Sequence, residues 1–121
     1  MDDLVGVRLL FHEDWYDGPL SGLAEYDGRT YFYEAVWDEA AGDWTHPRRL
    51  LLHDLTKDAI AEEWRCHHAF ETHVGTLHGG HVDEAEREQR PKSEWSKFYD
   101  AFPSADHDRY SHRPVIGSFT G

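Results

Sequence analysis

The first half of the chain alternates between apolar and polar residues, a pattern that is typical of strands with one buried face. Segments 4–11, 20–26 and 29–37 are predicted strands, and the last two flank Asp27-Gly28. This pair suits a two-residue hairpin turn because both of its positions accept positive φ. A short apolar run at 48–53 follows Pro47 and favours a buried strand over the start of a helix.

The second half of the chain has the periodicity of helices. Thr56 is a good N-cap for a helix over 56–74, which Gly75 can end in a left-handed conformation. A second amphipathic helix is predicted over 91–102, where Pro91 suits the first turn and apolar residues recur at helical spacing.

The order of these elements, with strands first and helices after, predicts an α+β fold. We expect a single domain over 1–121, with an antiparallel sheet of about four strands (4–11, 20–26, 29–37, 48–53) covered by two helices (56–74, 91–102). The segment near 76–90 is expected to be flexible. In the polar C-terminal tail, 115–119 would add an edge strand or simply pack against the domain. The predicted core comprises Val7, Leu9, Phe32, Val36, Leu51, Ile60, Phe70, Val74, Trp95, Phe98 and Phe102, and we expect Tyr33 and Trp37 to be buried as well.

Composition narrows the possible functions. The 121 residues include 39% hydrophobic and 14% aromatic residues, which is enough for a folded domain. No apolar run approaches the roughly 18 residues of a membrane span, so we expect no membrane partner. A net charge of -12 argues against nucleic acid, which needs clustered Lys and Arg. Residues 1–63 hold 15 acids and 5 bases, a net charge of -10. The single cysteine and the Met-Asp-Asp start favour the cytoplasm.

The predicted helix over 56–74 places Glu63, His67 and Glu71 on its apolar side at i, i+4 and i+8 spacing. Ionisable groups there are costly unless they are paired or solvated. If the protein has a catalytic site, we expect His67 to act as general base with Glu63 or Glu71 as its carboxylate. The favoured alternative is a rotated helix, in which the two glutamates flank the stripe and the pair has no chemical role.

Ten histidines raise the question of a metal site. Conditional ligands for a divalent transition metal are His67, Glu71, His78 and His81, with His53 as a further possibility. Their spacing matches no standard metal motif, and most surface histidines bind nothing, so we expect no cofactor. The sequence also lacks a glycine-rich phosphate loop, a nucleophile elbow and a Cys-x-x-Cys motif. These absences make an enzyme the less favoured interpretation.

The segment from 12 to 44 interleaves acidic and aromatic residues. Exposed aromatic side chains beside carboxylates are typical anchors for a basic partner, whereas the alternative is a buried strand with solvated turns. The predicted partner-binding residues lie in polar loops and are Trp15, Tyr16, Asp17, Asp38, Glu39 and Trp44. We therefore expect a small acidic cytoplasmic binding module, of inhibitor, immunity or adaptor type, that engages a basic protein. The alternative is a small metal-dependent enzyme or a metal-binding module.

Overall fold

A computed structural model describes residues 3–15, 18–75, 77–78, 81–82, 89–101 and 110–120, and at 14, 15, 77, 78, 81 and 82 it describes the backbone alone. These residues form two helices, a five-stranded antiparallel sheet and two small two-stranded sheets. The predicted α+β class is thus confirmed, with one more strand in the main sheet than expected.

The main sheet has the strand order β1-β2-β3-β6-β9, and every neighbouring pair is antiparallel. Its strands are β1 (Arg8–Trp15), β2 (Pro19–Tyr26), β3 (Arg29–Ala35), β6 (Arg49–His53) and β9 (Val115–Thr120). The small sheets pair β4 (Trp37–Asp38) with β5 (Asp43–Trp44), and β7 (Leu77–His78) with β8 (His81–Val82). The helices are α1 (Lys57–His73) and α2 (Lys92–Ala101).

Two local signals in the sequence predicted the structure correctly. Asp27 and Gly28 have φ values of 50° and 76° and connect β2 to β3, as the hairpin turn requires. The Thr56 hydroxyl accepts a 3.1 Å hydrogen bond from the Ala59 amide at the start of α1. Gly75, with φ 141°, follows the end of this helix. The turn and the cap therefore fix where β3 and α1 begin.

The first strand differs from its prediction. β1 covers 8–15 instead of 4–11, and its pairing with β2 shifts register at three places. Each shift interrupts the alternation on which the prediction relied. As a result Leu9, predicted for the core, is exposed, whereas Phe11 is buried.

The third strand ends earlier than predicted, at Ala35 instead of residue 37. Trp37 instead opens β4, where it is 49% exposed. The expectation that Trp37 belongs to the core is therefore wrong. The reason is that the chain leaves the main sheet after Ala35 and pairs with itself through Trp44.

The tail contributes the fifth strand, so the edge-strand alternative for 115–119 is the one observed. On one face of the sheet, α1 packs against a cluster of Phe11, Leu23, Phe32 and Leu55. On the opposite face the buried cluster is Ala24, Tyr31, Tyr33, Leu50, Leu52 and Phe119, to which Leu4 adds from the N-terminal segment. Both faces of β3 are thus covered, as its aromatic residues predicted.

The predicted core is correct in part. Phe32, Val74 and Phe98 are buried, whereas Val7, Val36, Leu51, Ile60, Phe70 and Trp95 are half-buried, and Phe102 lies outside the described residues. The predicted flexible segment near 76–90 also lies mostly outside them. No helix in the described part of the chain is long and apolar enough to cross a membrane.

Candidate functional site

The β4–β5 hairpin carries two tryptophans that face each other across its strands. Trp37 and Trp44 are directly paired, and their rings lie edge to face with centroids 5.1 Å apart at 89°. Asp38 and Asp43 form the next pair towards the turn. Successive residues of a strand point to opposite faces, so this register places the aromatic pair on one face of the hairpin and the acidic pair on the other. Half of the Trp37 surface is exposed to solvent.

Backbone and side-chain hydrogen bonds fix the base of this hairpin. The Thr45 amide donates to the Val36 carbonyl over 3.1 Å, and the Val36 amide donates to the Arg49 carbonyl over 2.9 Å. The Thr45 hydroxyl accepts from the Arg49 amide over 2.8 Å. The Arg48 guanidinium lies 5.8 Å from the centroid of the Trp44 ring, a cation–π contact that supports this ring from outside the hairpin.

The carboxylates of the hairpin differ in the hydrogen bonds that they accept. Asp43 accepts hydrogen bonds from His46 Nε2 over 3.0 Å and from the Trp44 amide over 2.7 Å. The His46 bond, and after it the Trp44 amide bond, lowers the pKa of Asp43 below its usual value. Asp38 accepts from the Ala41 amide over 3.3 Å, and Glu39 is exposed in the turn. The carboxylates thus lie at the surface, where they can attract a cation.

The predicted partner-binding residues come from two segments that the sheet brings to the same end. This end, called the hairpin end below, is where β1, β3 and β9 finish and β2 and β6 begin. A Cβ atom placed on Gly18, in the β1–β2 connection, would lie 2.9 Å from Arg48 Nη1, so this connection touches the support of Trp44. The two predicted loops are therefore neighbours.

The structure joins Asp38, Glu39 and Trp44 in one hairpin. Tyr16 and Asp17 lie outside the described residues, and Trp15 is described by its backbone alone. Sequence reasoning missed Trp37 as a surface residue. The symmetry of Trp37-Asp38 and Asp43-Trp44 about a turn that contains Gly42, which has φ 65°, is the signal that would have identified it.

The site predicted on α1 divides into two separate contacts, one between Glu63 and Tyr110 and one between His67 and Glu71. Glu63 is buried, with 3% of its surface exposed, and accepts a 2.7 Å hydrogen bond from the Tyr110 hydroxyl. Tyr110 precedes β9, and the sequence analysis did not predict it as part of the site. Glu63 thus connects α1 to the chain segment that leads into β9.

His67 lies between α1 and β1. Its ring stacks on Phe11 at 3.9 Å and 4°, and its Nε2 atom is 3.0 Å from a Glu71 carboxylate oxygen. Burial lowers the pKa of His67, which outweighs the opposing effect of Glu71, and the nearby His68 and His12 lower it further. The imidazole is therefore neutral at neutral pH, and it contacts Glu71 as a dipole instead of a full ion pair.

In the described part of the chain, the four conditional metal ligands fall into two pairs, His67 with Glu71 and His78 with His81. Within the residues that the structure describes, no group of three His, Cys, Asp or Glu side chains is placed to hold a metal ion. His78 and His81 are directly opposite each other in the β7–β8 pair. Of the conditional ligands, His67 and Glu71 are in contact with each other, and His78 and His81 are neighbours in register.

A second histidine, His53, is fully buried and forms a network that the sequence did not predict. His53, with 1% of its surface exposed, has Nδ1 2.9 Å from the Arg113 carbonyl oxygen and Nε2 2.8 Å from a Glu34 carboxylate oxygen. The other Glu34 oxygen accepts from the Ser111 hydroxyl over 2.6 Å. The Arg113 carbonyl can only accept, and so can Glu34 when it is ionised; with an ionised Glu34 both ring nitrogens donate and the ring is an imidazolium.

This network is structural. The Glu34 hydrogen bond raises the pKa of His53 despite its burial, and the Arg113 carbonyl adds to the effect. Since both nitrogens carry donated protons, His53 can act neither as a base nor as a metal ligand in this arrangement. The Arg113 guanidinium also donates to the backbone carbonyl and the carboxylate of Asp54, each over 3.1 Å. The segment before β9 is thereby held against the sheet.

Comparison with known proteins adds no relative: no protein-family model, no curated protein and no solved structure matches this chain.

Proposed function

We propose that this protein is a binding module that captures a basic partner protein at the hairpin end of its sheet. The observation that carries this proposal is the half-exposed Trp37 ring, held against Trp44 in a hairpin that also carries Asp38, Glu39 and Asp43. Tryptophan is enriched among the residues that dominate binding energy, and surface carboxylates steer a basic protein towards them. The net charge of -12 acts in the same direction at long range.

The construction of the hairpin supports the same proposal. Its base is tied to β6 through Val36, Thr45 and Arg49, and the Trp44 ring is covered by Arg48. A surface that is already ordered loses little conformational entropy when a partner binds. The nearby Arg49 guanidinium is paired with Asp3, so part of the local positive charge is already neutralised. The hairpin end therefore offers a rigid and acidic contact surface.

Salt and the Trp37→Ala substitution should affect this binding in different ways. We expect the association rate of a labelled peptide of mixed Lys and Arg to fall steeply with added salt, because exposed charges are screened beyond about 8 Å at physiological ionic strength. Trp37→Ala should raise the dissociation rate about tenfold, as the loss of an aromatic anchor typically does. Biolayer interferometry at several salt concentrations measures both rates.

The matched control is Tyr99→Ala, because Tyr99 is an aromatic residue of similar exposure, 53%, on α2. This variant should bind the peptide as the wild type does. Binding that is insensitive to salt, or that is weakened equally by both substitutions, would rule out the hairpin as the docking surface.

Metal binding is a second candidate function, favoured by the register of His78 and His81. Residues directly opposite in an antiparallel pair lie on the same face of the sheet, and histidine is a common zinc ligand. Elemental analysis of untagged protein distinguishes the two functions. The binding-module proposal predicts no stoichiometric metal, whereas about one zinc, nickel or copper ion per chain that is lost on His78→Ala would support metal binding instead.

A further inference from the structure

We infer that the outer edge of β9 binds an extended peptide in which an acidic residue precedes a leucine, and that segment 3–5 of the chain occupies this edge when no such peptide is bound. The inference goes beyond the proposed function and does not depend on the aromatic pair of the hairpin. It follows from the way in which Asp3 and Leu4 are held, because their contacts define what the edge recognises.

β9 is an edge strand of the main sheet, with β6 on its inner side. On its outer side the Leu4 amide donates to the Ser118 carbonyl over 2.8 Å, and in the described part of the chain this is the one backbone hydrogen bond between β9 and segment 3–5. Asp3 contacts Thr120 while Leu4 contacts Ser118, so the segment runs antiparallel to β9. An edge strand presents backbone groups to which another chain can add a strand. The segment covers only part of this edge.

Arg49 supplies the part of the site that recognises an acid. Its Nη2 atom donates to one Asp3 carboxylate oxygen over 2.5 Å, and its Nη1 atom lies 3.5 Å from the other. The Thr120 hydroxyl donates to the same carboxylate over 3.4 Å, and Arg49 itself is held by a 2.9 Å hydrogen bond to the Ser118 hydroxyl. The two nitrogens of a guanidinium match the two oxygens of a carboxylate. This position therefore selects an acidic residue, although the chain as a whole is acidic.

Gly117 provides the space that a leucine side chain fills. A Cβ atom placed on Gly117 would lie 2.8–2.9 Å from three atoms of the Leu4 side chain, so Leu4 lies directly over the bare backbone of this glycine. From there it packs against the buried cluster that contains Leu50 and Phe119. A leucine gains free energy by burying apolar surface at this point, which a polar residue cannot do. Arg49 and Gly117 thus recognise two successive residues of an added strand.

A longer peptide can displace segment 3–5 because the segment makes few contacts beyond Leu4. The next residue, Val5, is 85% exposed, and Gly6 turns the backbone with φ 82°. Further along β9, Val115 is 47% exposed. An extended peptide would repeat the contacts of Asp3 and Leu4 and add backbone hydrogen bonds along the rest of the strand. The chain's own segment therefore acts as a competitor that a better-matched strand replaces.

The experiment measures binding of a labelled peptide, in which Asp-Leu is followed by alternating threonine and valine, to the full chain by fluorescence anisotropy. In a double variant that combines Asp3→Asn with Leu4→Ser, the chain's own segment loses both side-chain contacts. We expect this variant to bind the peptide at least about tenfold more tightly than the wild type, in which the tethered segment competes. Val5→Ser is the matched control, because this side chain is exposed, and it should bind the peptide as the wild type does.

The specificity of the site provides a second readout. Versions of the peptide that begin Asn-Leu or Asp-Ser should bind the double variant about threefold and about tenfold more weakly, since they lose the exposed ion pair and the buried leucine, respectively. Arg49→Gln, added to the double variant, should remove the preference for Asp over Asn. Trp37→Ala should leave peptide binding unchanged, which separates this site from the hairpin.

Three results would overturn the inference: a folded double variant that binds no peptide, equal binding of the three peptides, and wild-type binding as tight as that of the double variant. If the double variant does not fold, the wild type decides. Excess Asp-Leu peptide should then shift the NMR signals of the Leu4 and Ser118 amides as it replaces the chain's own segment, and unmoved signals contradict the inference.

Discussion

Replacement of Glu34 with Gln should lower the free energy of unfolding by about 3 kcal/mol, because it leaves the buried His53 imidazolium without its counter-charge. Removal of one partner from a buried ion pair typically costs about 3–5 kcal/mol, and the lower end applies here since the Glu34 side chain is 20% exposed. Urea denaturation monitored by tryptophan fluorescence measures the change. The matched control is Glu25→Gln, which removes an exposed ion pair with Arg8 and should change stability by less than about 1 kcal/mol.

The same substitution should alter the pH dependence of stability. The pKa of His53 in the folded protein is raised above its ordinary value of 6.5, so its contribution is fully present below pH 6.5 and is lost as the pH rises through the folded pKa. His67, whose pKa is lowered, acts in the opposite direction, since its contribution is lost as the pH falls below 6.5. The difference in the free energy of unfolding between wild type and Glu34→Gln isolates the contribution of the His53 ion pair. It should be largest near pH 6 and shrink towards pH 9, and a difference independent of pH would contradict the imidazolium assignment.

Gly22→Ala should destabilise the fold by at least about 3 kcal/mol. A Cβ atom at this position would lie 2.1 Å from the Phe11 carbonyl oxygen and 2.8 Å from the His12 Cα atom. Both obstacles are backbone atoms of β1, so β1 and β2 would have to separate. Thermal unfolding monitored by circular dichroism tests the prediction.

Gly117→Ala provides the comparison for Gly22→Ala. The three atoms nearest to the added methyl group would all belong to the Leu4 side chain, at 2.8–2.9 Å, and a side chain can shift more readily than the backbone of a paired strand. We expect a loss of about 1 kcal/mol or less for this variant. A Gly22→Ala protein as stable as Gly117→Ala would mean that β1 and β2 do not approach so closely.

The features that the sequence predicted correctly are those that neighbouring residues decide. The Asp27-Gly28 turn and the Thr56 cap depend on φ preferences and on one side-chain hydrogen bond, and both are where they were expected. The register shifts of β1 depend on its contact with β2, which no local pattern contains. For this reason Leu9, which was expected in the core, is exposed, although the strand itself was foreseen.

The same division, between features decided by neighbouring residues and features decided by strand pairing, applies to the candidate sites. Asp38, Glu39 and Trp44 were predicted as binding residues because acidic and aromatic residues in a polar loop are visible in the sequence, and the structure places all three in one hairpin. Trp37 was missed because its exposure depends on the end of β3 at Ala35, which is set by the pairing of β4 with β5. The Glu34–His53 contact joins neighbouring strands, and the register that makes Phe32 the partner of His53 was not known in advance.

The two ends of the described chain lie next to each other, which affects where an affinity tag can be attached. Asp3 contacts both Arg49 and Thr120, and the Leu4 amide donates to the Ser118 carbonyl over 2.8 Å. Residues 3 and 120 are therefore neighbours, and both lie at the hairpin end. An affinity tag or fusion partner attached beyond residue 3 or residue 120 would therefore begin at the hairpin end, the same end as the proposed binding surface. A circularly permuted chain, reopened at Asp27-Gly28, would move both attachment points to the opposite end of the sheet and leave the hairpin unobstructed.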